Sequence, residues 1–178
     1  MIGGEEYPIV TDFREWIKFH DMSRDPELNQ QQVIVGMMQF YYERVPQDIE
    51  AAVSELLAFY AMETAEEIRK KMQPGKKEEK KKKPLYDYAY DSGCILAGFY
   101  QAYRIDLERI PYLHWHKFRE LLENLPEQTE FRQRIMYRNT DASKIKNKAE
   151  RQRIMEIQKR IALPAPAPTV AEIGGLFW

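Results

Sequence analysis

The chain has 178 residues, 44% of them hydrophobic and 31% charged, and a formal net charge of -1. That length suits one ordinary domain or two small lobes and is enough to bury a core without covalent staples. One cysteine, Cys94, excludes an internal disulfide, and neither a signal peptide nor the roughly 20-residue apolar run of a membrane span is in view, so a soluble protein of a reducing compartment such as the cytoplasm is expected.

Ile2-Gly3-Gly4 followed by Glu6-Tyr7-Pro8-Ile9-Val10 reads as a turn and a short strand or hairpin. Thr11 is placed to cap a first helix carrying Phe13, Trp16, Ile17 and His20 along one face. Asp25-Pro26 reads as cap and first turn of a second helix ending near Tyr42. Pro46 opens a third, whose stripe of Ile49, Val53, Leu56, Leu57, Tyr60 and Ile68 runs to about Met72. Gln73-Pro74-Gly75 then breaks the periodicity, and six lysines with two glutamates fill the run from Lys76 to Lys83. Such a block is a solvated loop by composition.

A fourth helix is expected from about Asp87 to Tyr103, apolar almost all round and therefore buried. Its Gly93, Ala97 and Gly98 are small enough to admit a neighbouring helix. Pro111 starts a fifth helix and Pro126 a sixth, and Thr140-Asp141 caps a seventh reaching about Leu163. Nine aromatic residues fall between Tyr86 and Phe118, which marks that stretch as the centre of the fold. The expected class is thus all-α: a bundle of about seven helices with a short N-terminal strand or hairpin. Residues 1–163 form a single helical domain, or two lobes, 1–72 and 85–163, joined by the Lys-rich loop 73–84. Residues 164–178 form a Pro-rich tether with an apolar tail.

Charge is distributed unevenly. Residues 1–67 hold 14 Asp and Glu against 4 Lys and Arg, whereas residues 68–178 hold 14 against 23. Opposed fields of this kind either neutralise each other within one fold or steer one subunit onto the next.

Candidate chemistry is sparse. His114 and His116 form a His-x-His pair, but within a helical pattern residues two apart diverge, and no third ligand or Cys-x-x-Cys accompanies them. Local hydrogen bonding beside a packed Trp115 and Phe118 is the expected role. Cys94 lies among apolar residues with no basic neighbour to activate it. The carboxylates of Asp87 and Asp91 suit a helix start. No phosphate-cradling glycine pattern is present. Neither an enzyme nor a metal or other cofactor is expected. The candidate partner-binding residues are instead Leu176, Phe177 and Trp178, an apolar anchor that either folds back or docks on another chain, together with Lys144, Lys148 and Arg151 of the basic last helix. The alternative is a nucleic-acid-binding module using the Lys76–Lys83 loop and that helix, although the loop lacks aromatics for base stacking.

Several segments resemble the phage "gene product fifteen" family. They are Tyr7-Pro8-Ile9 with Thr11-Asp12-Phe13-Arg14, Asp91 to Tyr103 followed by Arg104-Ile105-Asp106-Leu107, and Tyr112-Leu113-His114-Trp115-His116-Lys117-Phe118. Ile135-Met136-Tyr137-Arg138 and Lys159-Arg160-Ile161-Ala162-Leu163-Pro164 follow in the family's order. An aromatic more often stands where His116 does. Members are small proteins of long-tailed phages (siphoviruses) and prophages, encoded between the major tail protein and the tape measure protein. The resemblance implies a helical, non-enzymatic tail assembly chaperone. It would self-associate head to tail and coat the tape measure protein. It would then hand that protein to the polymerising tube protein, acting in the host cytoplasm and staying out of the mature virion.

Overall fold

A computed structural model describes residues 2–25, 27–72 and 84–164. Among these residues the regular structure is helical: α1 (Phe13–Met22), α2 (Gln30–Met38), α3 (Ile49–Ala61), α4 (Ala65–Met72), α5 (Ser92–Tyr103), α6 (Trp115–Glu123), α7 (Glu130–Asn139) and α8 (Lys148–Arg160), with a 3-10 turn at Ala142–Lys144. The chain divides into two compact units. The described part of the first is residues 2–25, 27–72 and 112–118, and that of the second is residues 84–111 and 119–164. The aromatic-rich stretch is therefore shared out: Tyr112, Trp115 and Phe118 belong to the first unit, and Tyr86 through Tyr103 to the second.

The first unit is built on rings. Trp16 and Trp115 are completely buried, and Phe13, Phe19, Phe40 and Phe118 close round them. Phe13 stacks on Phe118 with centroids 4.7 Å apart, and Tyr60 on Trp115 at 5.4 Å. Each indole also meets a carbonyl: Trp16 Nε1 donates to Val10 O and Trp115 Nε1 to Tyr60 O, both at 2.9 Å. Truncating such a ring costs about 3–5 kcal/mol, so this cluster dominates the unit's stability.

Three isolated β-bridges replace the expected N-terminal strand: Ile2 with Glu5, Ile9 with Tyr41, and Asp12 with His114. Gly3 and Gly4, both at positive φ, close the first. Segment 8–12 is then held from two sides. Val10 N–H donates to Phe40 O and Tyr42 N–H to Pro8 O, while Trp115 N–H donates to Thr11 O and Phe13 N–H to Leu113 O. Pro8 has no N–H to extend a ladder, and α1 and α6 begin at once, so pairing stops at single bridges.

Helix starts depart from the sequence expectation where two cap signals compete. Asp12 caps α1, accepting from Arg14 N–H at 2.9 Å, because Thr11 is engaged with the 112–115 segment. Asn29 and Gln32 form a reciprocal capping box for α2, leaving Asp25 in a preceding turn. The long third helix is in fact two. α3 ends with Met62 in the left-handed conformation, φ 60°. Thr64 and Glu67 then cap α4 reciprocally, Thr64 N–H donating to Glu67 Oε2 at 2.8 Å and Glu67 N–H to Thr64 Oγ1 at 3.2 Å.

In the second unit α5 begins at Ser92, since residues 87–91 form a turn, and it buries one face only: Cys94, Ile95, Gly98 and Phe99. Tyr100 is 57% exposed, so the helix is less enclosed than its composition predicts. Of its small residues, Gly98 meets Leu125, where an added Cβ would lie 3.1 Å from Cδ1, while Gly93 faces open space. Leu107, Leu122, Leu125 and Phe131 complete this core. The predicted fifth, sixth and seventh helices start late, at Trp115, Glu130 and Lys148: the His114 bridge follows Pro111, Pro126 opens a turn, and Asp141 caps the 3-10 turn while Asn147 caps α8.

Candidate functional site

His114 sits just before α6, in a bridge rather than in the helix, so the two histidines do not diverge as helical spacing predicts. Their rings lie 5.1 Å apart, edge to face. His114 Nδ1 accepts from His116 N–H at 3.2 Å, capping the helix, and His116 Nε2 lies 2.7 Å from Phe59 O with its ring tilted 32° against Phe59 at 4.3 Å. Among the described residues no group of three His, Cys, Asp or Glu is placed to hold a metal ion. Cys94 is buried, and that burial pushes its thiol pKa up, the opposite of nucleophile activation.

Beside His116 the first unit carries a cleft of about 660 Å³. Ile2, Ile9, Tyr41, Leu56 and Phe59 give it an apolar lining, and the α3–α4 break contributes Met62 through Ala65. Its lining includes Glu55, Glu63 and Glu67 and neither lysine nor arginine. Glu63 is ion-paired to Lys71. Glu67 is held below the usual carboxylate range by the backbone and side-chain hydrogen bonds of Thr64. Glu55 makes no ion pair among the described residues; burial, and then the charge of Glu55, raise the pKa of the Tyr41 hydroxyl, which donates to Ala52 O at 2.9 Å. Sequence reading missed this cleft, since its walls come from residues as distant as 2, 41, 55 and 116. The Thr64-x-x-Glu67 capping signature was the one local sign that α3 and α4 part there.

The second unit is organised by a buried charge. Asp91 is fully buried and receives a two-pronged contact from Arg138, Nη1 to Oδ2 at 2.6 Å and Nη2 to Oδ1 at 2.9 Å. Arg134 adds a third contact at 3.2 Å and Asp87 N–H a fourth at 3.1 Å. Arg138 also donates to Leu85 O at 3.0 Å and, through Nε, to Ile161 O at 2.8 Å. One guanidinium thus ties together the entry to α5, α7 and the end of α8. Asp91 is a packing partner of α7, beyond the helix-dipole role its position predicts.

Among the expected partner-binding residues, Leu176, Phe177 and Trp178 lie outside the described residues, as do Lys76 and Lys83. Lys144 ends the 3-10 turn, its side chain 83% exposed and 3.5 Å from Asp141. Lys148 opens α8 and is exposed, whereas Arg151 is half-buried. No side chain of α8 is buried. Arg151, Ile154 and Gln158 are half-buried at i, i+3 and i+7, with Gln158 Nε2 donating to Tyr137 O and Thr140 O. Lys148, Gln152, Met155 and Lys159, at i, i+4, i+7 and i+11, form an exposed stripe.

An all-α protein of two units, one centred on rings and one on a buried ion pair, is the class these features define. The chain belongs to the family described as Bacteriophage Gp15 protein, whose family model matches residues 1–163. No curated protein and no solved structure matches it. Among the described residues no helix is long and apolar enough to cross a membrane.

Proposed function

We propose that this phage protein is a non-enzymatic tail assembly chaperone. It self-associates and coats the tape measure protein before the tail tube polymerises, working in the host cytoplasm and remaining absent from the finished virion. The observation that carries this reading is family membership across residues 1–163, joined to what the family resemblance implies. Large apolar side chains exposed on several elements, including Val35, Tyr42, Tyr100 and Met155, support a role exercised through protein surfaces. So does the contrast between an acidic first unit and a basic α8.

Co-expression with a fragment of the phage's own tape measure protein tests it. The expected result is a soluble complex that survives size-exclusion chromatography, with the fragment aggregating when expressed alone. A fragment equally insoluble in the presence of the protein refutes the coating role. Recovery of the protein from purified virions at structural stoichiometry refutes its proposed absence from them. Salt-sensitive retardation of DNA or RNA with no tape measure complex would favour the nucleic-acid alternative.

A further inference from the structure

We infer that the acidic cleft of the first unit is the docking site for the exposed stripe of α8 on a second copy of this chain. The inference rests on the self-association in the reading above and gives it a surface. Three observations carry it. The cleft is apolar and sulfur-aromatic in character, lined by Tyr41, Phe59 and Met62, and its charges are Glu55, Glu63 and Glu67. The α8 stripe has the complementary composition: Met155, 54% exposed, flanked by Lys148 and Lys159. Finally, the polarity extends beyond these few residues. The described part of the first unit holds 14 acidic and 8 basic residues, and residues 144–160 hold 7 basic and 2 acidic.

Met155 is the natural anchor, because a thioether is flexible and makes favourable contacts with ring edges. At about 1.5 Å rise per residue, Lys159 stands roughly 6 Å along the helix from it and Lys148 roughly 10 Å the other way. That spacing sets an ammonium group on either side of a methionine that enters a cleft lined by three carboxylates, of which Glu63 is already paired with Lys71. The contact joins two different surfaces, so each copy offers one of each and assembly is head-to-tail. One helix face covers less than the roughly 800 Å² per partner of a standard interface, so the contact is weak and reversible. A coat that must come off requires that.

Sedimentation velocity of the full chain, over a roughly hundredfold range through micromolar concentrations, tests the pairing. The wild type should form concentration-dependent oligomers. These should dissociate as salt rises from about 0.1 M to about 1 M and the screening length falls from roughly 10 Å to roughly 3 Å. Glu55→Lys, and separately Lys148→Glu with Lys159→Glu, should each weaken association about tenfold or more while leaving circular dichroism and melting unchanged. Mixing the two variants should restore oligomers, since each altered surface then finds its altered complement. A monomeric wild type, single-surface variants that associate normally, or a mixture of folded variants that stays monomeric overturns the pairing. Loss of association on truncation after Pro168, with the α8 reversal harmless, overturns it in favour of the C-terminal segment as occupant. Tape measure capture is read separately: a monomer that still captures the fragment sinks this interface and the self-association but leaves tape measure binding standing, and an oligomer that captures none sinks the chaperone reading.

Discussion

Replacing Arg138 with methionine removes the guanidinium that neutralises a fully buried carboxylate and satisfies two backbone carbonyls. Asp91 has no exposed surface, and the Arg138 side chain is 7% exposed. Arg138→Met leaves Asp91 with one Arg134 contact at 3.2 Å, the Asp87 N–H and a weak Cys94 thiol contact at 3.9 Å, and it takes the guanidinium from Leu85 O and Ile161 O. Breaking one side of a buried pair costs about 3–5 kcal/mol. At roughly 2–4 °C per kcal/mol for a chain of this length, the melting temperature should fall by roughly 6–20 °C. Chemical denaturation followed by far-ultraviolet circular dichroism measures the loss. Hydrogen exchange should show the last turn of α8 opening first, because the Nε bond to Ile161 O is gone. Arg138→Met combined with Asp91→Leu should cost less than the two single changes added, by at least about 1 kcal/mol, because no orphaned charge remains. A single change costing under about 1 kcal/mol, or a double change additive within about 0.5 kcal/mol, refutes the claim that this pair organises the unit.

Gly93→Ala should raise the denaturation midpoint by the equivalent of about 0.5–1 kcal/mol, because an added Cβ meets nothing within 4 Å and alanine favours the helix. Gly98→Ala, facing Leu125, should gain less; equal gains at both sites would contradict the packing described. Glu67 has a folded-state pKa below its ordinary 4.5, so its contribution is present above that value and is lost as pH falls through the lowered one. The melting-temperature difference between wild type and Glu67→Gln should therefore shrink between about pH 6 and about pH 3. A difference that stays constant over that range would show that the carboxylate does not cap α4.

Much of the secondary structure was legible because its causes are local. Amphipathic spacing marked α1, α3 and α8, and the Asn29-x-x-Gln32 and Thr64-x-x-Glu67 signatures stand openly in the chain, although Asp25-Pro26 upstream of α2 is a competing start signal and the apolar stripe from Ile49 to Ile68 runs unbroken across the α3–α4 junction. The helix expected to be buried all round was less legible. Composition counts apolar residues but not which of them find neighbours, and Tyr100 finds none that enclose it. Lys148 and Arg151, read together as one basic surface, differ in exposure because α8 rests on Tyr137 and Thr140 through its Arg151–Gln158 side.

By itself the sequence determined the helical class, the family, the uneven charge and the side-chain caps at the starts of α1, α2, α3, α4 and α8, the caps being set by residues within a few positions of one another. Tertiary structure alone decided that residues 112–118 complete the first unit, that Asp91 answers Arg138 47 positions away, and that residues 2, 41, 55 and 116 line one cleft. The physical reason is that burial rewards any partner of suitable shape and charge. The choice among such partners lies in how whole helices pack, which no local pattern records.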